Sequence, residues 1–389
     1  MAQLDGTDVA VGRALRKGVR RLVREACELP MFLEDVVTAS GPLPELPAWR
    51  TRGRTEPLLV DWVITPPSPG SGGHTTIFRI VEELERRGHR CRLSVYDRYR
   101  GDVARHTAVI RRCWPGVRAD VHDATTGLRP ADAVFATPWE TAHVVARRAE
   151  VGKRFYFVQD FEPDFYPAGA ERVLAEATYR FGFIGVSAGG WLAQRLGHVY
   201  GMQCEGFDFG CDTTIYHCDR VAPRNGVVFY AKPDVPRRAF WLGALALRVF
   251  AERHPDTDIH LFGQDVPDLG FRHIDHGHLS PARLNALYNA CTAGLSLSLT
   301  NVSLVPWELL ASGCIPVVND APHNRAVLKN DHVLWSELAP EPLADALCRA
   351  VAAPRNQAVL QARADSVRSS RWQDAGALVE QVLRRELCS

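Results

Sequence analysis

Leu58-Leu59-Val60-Asp61-Trp62-Val63-Ile64, then Pro66-Pro67-Ser68-Pro69-Gly70-Ser71-Gly72-Gly73, then His74 to Arg87 is the stretch that decides the fold. The first piece is a short apolar run of the kind that forms a strand buried on both faces of a parallel sheet. The second is a Pro/Gly/Ser loop, and the third reads as a helix that Gly88 stops. Further strands follow at Arg92 to Tyr96, Ala133-Val134-Phe135-Ala136, Phe155-Tyr156-Phe157-Val158 and Phe181-Gly182-Phe183-Ile184-Gly185-Val186. The last runs into Ser187, which reads as the N-cap of a helix through Arg195.

The pattern then restarts. Pro223-Arg224-Asn225-Gly226 reads as a turn and Val227-Val228-Phe229-Tyr230 as a strand. Pro236 to Arg253 reads as a helix with proline near its first position. Ile259 to Phe262 is a strand closed by Gly263, and Ser280-Pro281 opens a helix to Ala290. Gly294 to Leu299 reads as a strand, Leu304 to Ser312 as a helix ended by Gly313, and Ile315-Pro316-Val317-Val318 as a strand. Two successive βαβ series predict an α/β protein of two Rossmann-like domains facing each other across a cleft. The expected division is an extension and linker over 1–50, an acceptor domain over 51–215, a donor domain over 216–365, and a helix over 366–389 that returns to the first domain. Trp372, Leu378, Val379, Val382 and Leu383 supply that helix with its apolar face.

Composition sets the outer bounds. The 389 residues suit two or three domains. Hydrophobic residues at 46% and charged residues at 23% exclude disordered and fibrous classes. The 46 basic and 45 acidic residues cancel to +1, which argues against a nucleic-acid partner. Ten scattered cysteines form no C-x-x-C pair and no zinc spacing, so they are expected reduced and mostly buried. No run reaches about 18 apolar residues and no hydrophobic leader is visible, so the expected location is cytoplasmic. The extension carries Arg13, Arg16, Lys17, Arg20, Arg21 and Arg24 beside Leu15, Val19, Leu22, Val23 and Ala26. This is an amphipathic basic helix, either a solvated face packed on the body or a peripheral contact with the inner face of an anionic membrane. The stretch from Gly41 to Pro47 reads as a linker.

Three places can carry chemistry. In the loop Pro66–Gly73, Gly72 and Gly73 let backbone amides approach an anion at a helix N-terminus. It lacks the Gly-Lys-Ser/Thr ending of a P-loop and the third glycine of a dinucleotide fingerprint. A structural turn is the other reading. Lys232, just past a strand, with Arg237 and Arg238 at the next helix start, suits a diphosphate or is a solvated basic turn. In Leu297 to Val318 a small polar turn opens a helix, offering the amides of Asn301, Ser303, Leu304 and Val305 to phosphate or sugar. Glu308 lies one turn in, where a carboxylate takes both hydroxyls of a ribose, and its apolar neighbours Trp307, Leu309 and Leu310 make a merely decorative carboxylate costly.

This last segment resembles the C-terminal signature of the family 4 retaining glycosyltransferases, which have the two-Rossmann GT-B architecture. That signature is Glu, seven residues, Glu, then a small-Gly-x-Pro-Val-Val strand. The second Glu corresponds to Glu308, and Ser312-Gly313-Cys314-Ile315-Pro316-Val317-Val318 matches the rest. The first Glu, which contacts the donor sugar, falls at Thr300, so that contact must differ here. Gly72-Gly73-His74 resembles the family's glycine loop, Lys232 and Arg237 its basic diphosphate pair, and Phe209-Gly210-Cys211-Asp212 with Tyr216 its entry to the interdomain linker. Phe157 to Pro167 and Thr300 to Glu308 look like the bacterial rhamnosyltransferases of S-layer and surface-polysaccharide synthesis, which also lack the first Glu.

The resemblance implies a hexosyltransferase. It implies a nucleotide-sugar donor, dTDP-β-L-rhamnose ahead of UDP- or GDP-sugars, and a glycan, lipid-linked or small-molecule acceptor. It also implies retention of configuration, and no metal or other cofactor. Asp160, Glu162 and His74 are the catalytic candidates: the carboxylates orient the acceptor hydroxyl or merely cap a helix and pair in a loop. His74 faces the reacting centre or simply ends a helix. His273, Asp275, His276 and His278 read as a base-side loop rather than a metal site, with Phe271 to Gly277 flanking the nucleobase. The rival readings are a nucleotide-sugar epimerase of the same fold, a non-catalytic nucleotide-sugar-binding partner, and a membrane-surface scaffold.

Overall fold

The computed structural model describes residues 28–99, 101–219 and 223–388. The basic helix expected over residues 13–26 lies outside them. The first domain runs β1 (Leu59–Ile64), α1 (Gly72–Arg86), β2 (Arg90–Val95), α2 (Val103–Cys113), β3 (Asp120–Asp123), β4 (Ala133–Ala136), α3 (Trp139–Arg148), β5 (Lys153–Val158), α4 (Ala170–Thr178), β6 (Ile184–Ala188), α5 (Gly190–Tyr200) and β7 (Cys204–Phe207). Its seven strands lie in the order β3-β2-β1-β4-β5-β6-β7, and every pairing is parallel.

The second domain runs β8 (Val227–Ala231), α6 (Phe240–Arg253), β9 (Ile259–Gly263), β10 (Ile274–Asp275), α7 (Pro281–Ala290), β11 (Ala293–Ser296), α8 (Val305–Ala311), β12 (Ile315–Asn319), α9 (Pro322–Val327), β13 (Leu334–Ser336), α10 (Pro340–Ala352) and α11 (Gln357–Asp365). Its six parallel strands lie in the order β10-β9-β8-β11-β12-β13. The last helix, α12 (Trp372–Leu387), leaves this domain and packs along α1.

Strand periodicity explains the layering. Val60, Trp62 and Ile64 of β1 join one buried cluster while Val63 joins another, so helices cover both faces of the sheet. Asp61 is fully buried between them. Burial pushes its carboxyl up, and the Arg92 guanidinium at 2.9 Å and the Ser94 hydroxyl at 2.8 Å oppose the shift. Each sheet reverses its strand order once, at β1/β4 and at β8/β11, and such reversals open a crevice at the carboxyl ends of the strands.

Two local readings change. Ser187 is a strand residue paired with Val158, and the N-cap of α5 is Gly189. Its φ of +92° puts Gly189 in backbone space that a side chain at this position would not tolerate. The segment Pro236 to Arg253 is two pieces: a 3-10 turn over Pro236–Arg238 and then α6, joined by Ala239 in the left-handed region. Nine cysteines among the described residues are free, four of them buried. No described helix is long and apolar enough to cross a membrane.

Candidate functional site

The glycine loop leaves β1 at the first reversal and ends in α1, whose N-cap Ser71 accepts from the His74 amide. The His74 ring is half-buried. One ring nitrogen lies 2.8 Å from the Ser71 hydroxyl and the other 3.1 Å from the Thr65 carbonyl, and burial lowers its pKa. Both nitrogens are thus engaged within the loop and helix start, and the ring fastens one to the other. Gly72 has open space where a side chain would stand, and a Cβ on Gly73 would lie 3.6 Å from the Gln159 amide. The loop is thereby placed beside the end of β5.

Asp160 follows β5 and crosses to the other domain. Its carboxylate accepts from the Thr300 hydroxyl at 2.8 Å and the Asn301 amide at 2.9 Å, as well as from the Phe161 amide at 2.8 Å. Asn301 returns the contact: its side-chain amide donates to the carbonyls of Gln159 at 2.8 Å and Ala188 at 2.9 Å. Thr300, which stands where the resembling family has its first Glu, is therefore occupied by a carboxylate supplied from the opposite domain. Glu162 lies deeper. It accepts from the Trp139 amide at 2.6 Å and the Tyr156 hydroxyl at 3.2 Å, and burial followed by the nearby Glu140 pushes its carboxyl far up. That environment makes Glu162 an internal tie between β5 and α3.

The second reversal holds the other candidates. Lys232 projects from the end of β8, its ammonium 5.6 Å from the centre of the Tyr230 ring, and burial and then Arg238 lower its pKa. Arg238 donates to the Ser298 hydroxyl at 2.8 Å and the Asn301 carbonyl at 3.0 Å, and burial depresses its pKa too. Arg237 turns the other way. Its guanidinium stacks over the Phe165 ring at 3.9 Å and lies 3.7 Å from Asp160, both in the first domain. So Arg238 is the neighbour of Lys232, and Arg237 belongs to the seam. Spacing alone could not separate the two, because the left-handed Ala239 redirects the chain after them.

Leu297 to Val305 links the end of β11 to the start of α8. Ser298 is held by Asn319 through paired bonds of 2.8 Å, and Ser303 lies 3.2 Å from Ser296, hydroxyl to hydroxyl. Leu304 is the N-cap of α8, and Val305 is its first residue. Glu308, one turn in, accepts from the Tyr288 hydroxyl at 3.1 Å, and Tyr216 also donates to it. Burial raises its pKa to about 7, which the two phenols oppose. A carboxylate so held has acceptor capacity left for a ribose. Tyr216 was legible only as part of the linker entry and Tyr288 not at all, so the sequence joined neither one to Glu308.

Of the histidine group, His276 pairs with His260 at 3.0 Å and His273 with the Phe271 carbonyl at 2.9 Å. Among the described residues no three His, Cys, Asp or Glu side chains come together as a metal set.

Two parallel-sheet Rossmann-like domains with their carboxyl edges opposed define the GT-B class, and the chain has that fold. Residues 116–187 match the family model for the WsaF N-terminal domain and residues 225–348 that for the WsaF C-terminal domain, in the order of the two domains. The O-antigen biosynthesis protein RfbC of Myxococcus xanthus is 32% identical over 357 residues, covering 86% of this chain; the chain spans only 28% of that protein's length. Solved structures agree on the fold. TarM of S. aureus superposes with a TM-score of 0.68 at 6% identity, covering 84% of this chain and 99% of that one. Sucrose-phosphate synthase of Thermosynechococcus elongatus gives 0.64 at 14%, covering 85% and 99%. HepE of Anabaena in complex with UDP-glucose gives 0.61 at 15%, also covering 85% and 99%.

Proposed function

We propose that this chain is a glycosyltransferase of glycan biosynthesis, moving a sugar from a nucleoside diphosphate donor to a hydroxyl of a growing glycan. The observation that carries the reading is the grouping of Lys232, Arg238 and Glu308 around the β8/β11 reversal, faced by the glycine loop of the other domain. In this reading Glu308 takes the hydroxyls of the nucleoside sugar, both of a ribose in UDP or GDP and the single 3′-hydroxyl of the deoxyribose in dTDP. Lys232 and Arg238, with the amides of 303–305, oppose the charge that gathers on the departing diphosphate. Cations already in place do this work, so the reading needs no metal. Asp160 fastens the Thr300–Asn301 turn to the acceptor domain and so shapes the sugar subsite from both sides.

The finer assignment is L-rhamnose from dTDP-β-L-rhamnose, delivered with retention to a surface glycan. The likeness of residues 157–167 and 300–308 to surface-polysaccharide rhamnosyltransferases supports it, as does the relative named for O-antigen biosynthesis. The test is a thermal-shift panel of dTDP-, UDP- and GDP-sugars, followed by turnover on rhamnosides and glucosides. dTDP-rhamnose is expected to raise the melting temperature most. A larger shift with a UDP- or GDP-sugar overturns the donor assignment, and no shift with any nucleotide overturns the whole reading.

A further inference from the structure

His278 was read with the base-side histidines, but it takes no part in the His260–His276 pair or the His273 contact. It follows Gly277 just beyond β10, at the carboxyl edge of the second sheet. Its ring crosses the cleft and lies against Gly70 of the glycine loop. A Cβ built on Gly70 would stand 2.2 Å from the ring's Cε1 and 2.8 Å from its Nδ1. Gly70 also has a φ of +71°, so its lack of a side chain serves both the turn and the approach of the imidazole. The side chain is exposed, and among the described residues neither ring nitrogen has a hydrogen-bond partner.

The segments that carry His278 and Lys232 are neighbours. The Gly263 amide donates to the Gly277 carbonyl at 2.8 Å, and a Cβ on Gly263 would lie 3.4 Å from Cε of Lys232. The loop that carries His278 thus lies beside the loop at the end of β8, and its ring lies against Gly70, two residues before the helix start at Gly72 and Gly73. A cation, a free imidazole and helix-start amides together suit an anion of several oxygens.

We propose that His278 is a ligand of the donor's diphosphate, the third wall of a cradle formed with Lys232 and the glycine loop, and that Gly70 sets how closely the two domains shut upon it. The inference rests on the glycosyltransferase reading and adds a residue and a contact to it. His278 donates from one ring nitrogen to a phosphate oxygen once the domains close.

The experiment is calorimetry on the full chain with UDP and dTDP, and with uridine and thymidine as probes lacking phosphate. His278→Ala is expected to weaken the preferred diphosphate by about tenfold, leave the matching nucleoside within about twofold, and leave the melting temperature of the ligand-free protein unchanged. His278→Gln, which keeps a donor, is expected to recover part of the loss. Gly70→Ala is expected to weaken diphosphate binding too, and less so when His278 is already alanine, because the colliding ring is gone. Unchanged diphosphate affinity in His278→Ala overturns the inference and leaves the wider reading standing. An equal loss for nucleoside and diphosphate also overturns it, moving the ring to the base. A wild-type chain that binds none of the four probes overturns the donor site itself, and this inference with it.

Discussion

The two domains meet along two seams of opposite chemistry. On the linker side the contact is apolar. Phe157 stacks on Phe207 at 5.2 Å, Phe207 meets Phe209 at 6.0 Å, and Phe209 meets Trp307 at 5.4 Å, so one ring series runs from the first sheet to the helix that carries Glu308. Gly210 lies so close to Trp372 that a Cβ would come within 2.5 Å of its amide nitrogen, and the Cys211 amide donates to the Ser370 carbonyl at 2.8 Å. The outgoing linker and the returning segment are therefore bound side by side. On the cleft side the contact is polar: Asp160, Thr300 and Asn301, with Arg237 over Phe165. Water can replace each polar partner at small net cost, whereas exposing the ring series forfeits burial that nothing replaces. The linker side is therefore the seam expected to stay shut, and the cleft side the one expected to part first.

That contrast can be broken experimentally. Trp307→Ala removes the apolar link and is expected to cost about 3–5 kcal/mol in urea unfolding. A loss below about 1 kcal/mol would mean the ring series does not hold the domains. Glu308→Ala is expected to lower nucleoside diphosphate affinity by about tenfold or more in calorimetry with little change in melting temperature, since it removes a carboxyl whose burial is already unfavourable. Unchanged affinity would remove Glu308 from the site.

Asp160→Ala leaves the Thr300 hydroxyl and the Asn301 amide without their acceptor. It is expected to cost about 1 kcal/mol, less than Trp307→Ala, and to raise the radius of gyration in solution scattering as the polar seam parts. A stability loss equal to that of Trp307→Ala would erase the distinction between the seams.

The smallest effect is one of pH. In the proposed site the carboxylate form of Glu308 accepts from the nucleoside sugar, and its pKa is raised to about 7. Affinity for the phosphate-free nucleoside is therefore expected to rise severalfold from about pH 6 to about pH 8 and then level off. Glu308→Gln should flatten the profile. A wild-type profile that is already flat assigns the ribose to another residue.

Much of this architecture was legible because its signals are local. Apolar runs such as Leu58–Ile64 and Val227–Tyr230 are strands for the same reason they are buried, and glycines such as Gly88 and Gly313 mark where helices must end. Polar or short elements were missed. β3, with the sequence Asp120-Val121-His122-Asp123, has no apolar run to show it, and β10 is two exposed residues. The Ser187 cap failed because a serine before Gly189 is read as a cap only when the strand is known to have ended.

The site divides in the same way. Two α/β domains in order, the loop types at the strand ends and the residue classes there were readable along the chain: glycines at 70, 72 and 73, cations at 232–238, a carboxylate at 308. Those follow from periodicity and turn chemistry, which neighbouring residues settle among themselves. Three relations needed the folded molecule: Arg238 stands by Lys232 while Arg237 faces Phe165, Asp160 reaches Thr300 across 140 positions of chain, and His278 lies on Gly70. Each of these depends on a backbone turn or on the meeting of two separately folded sheets, and no local pattern encodes the angle at which they meet.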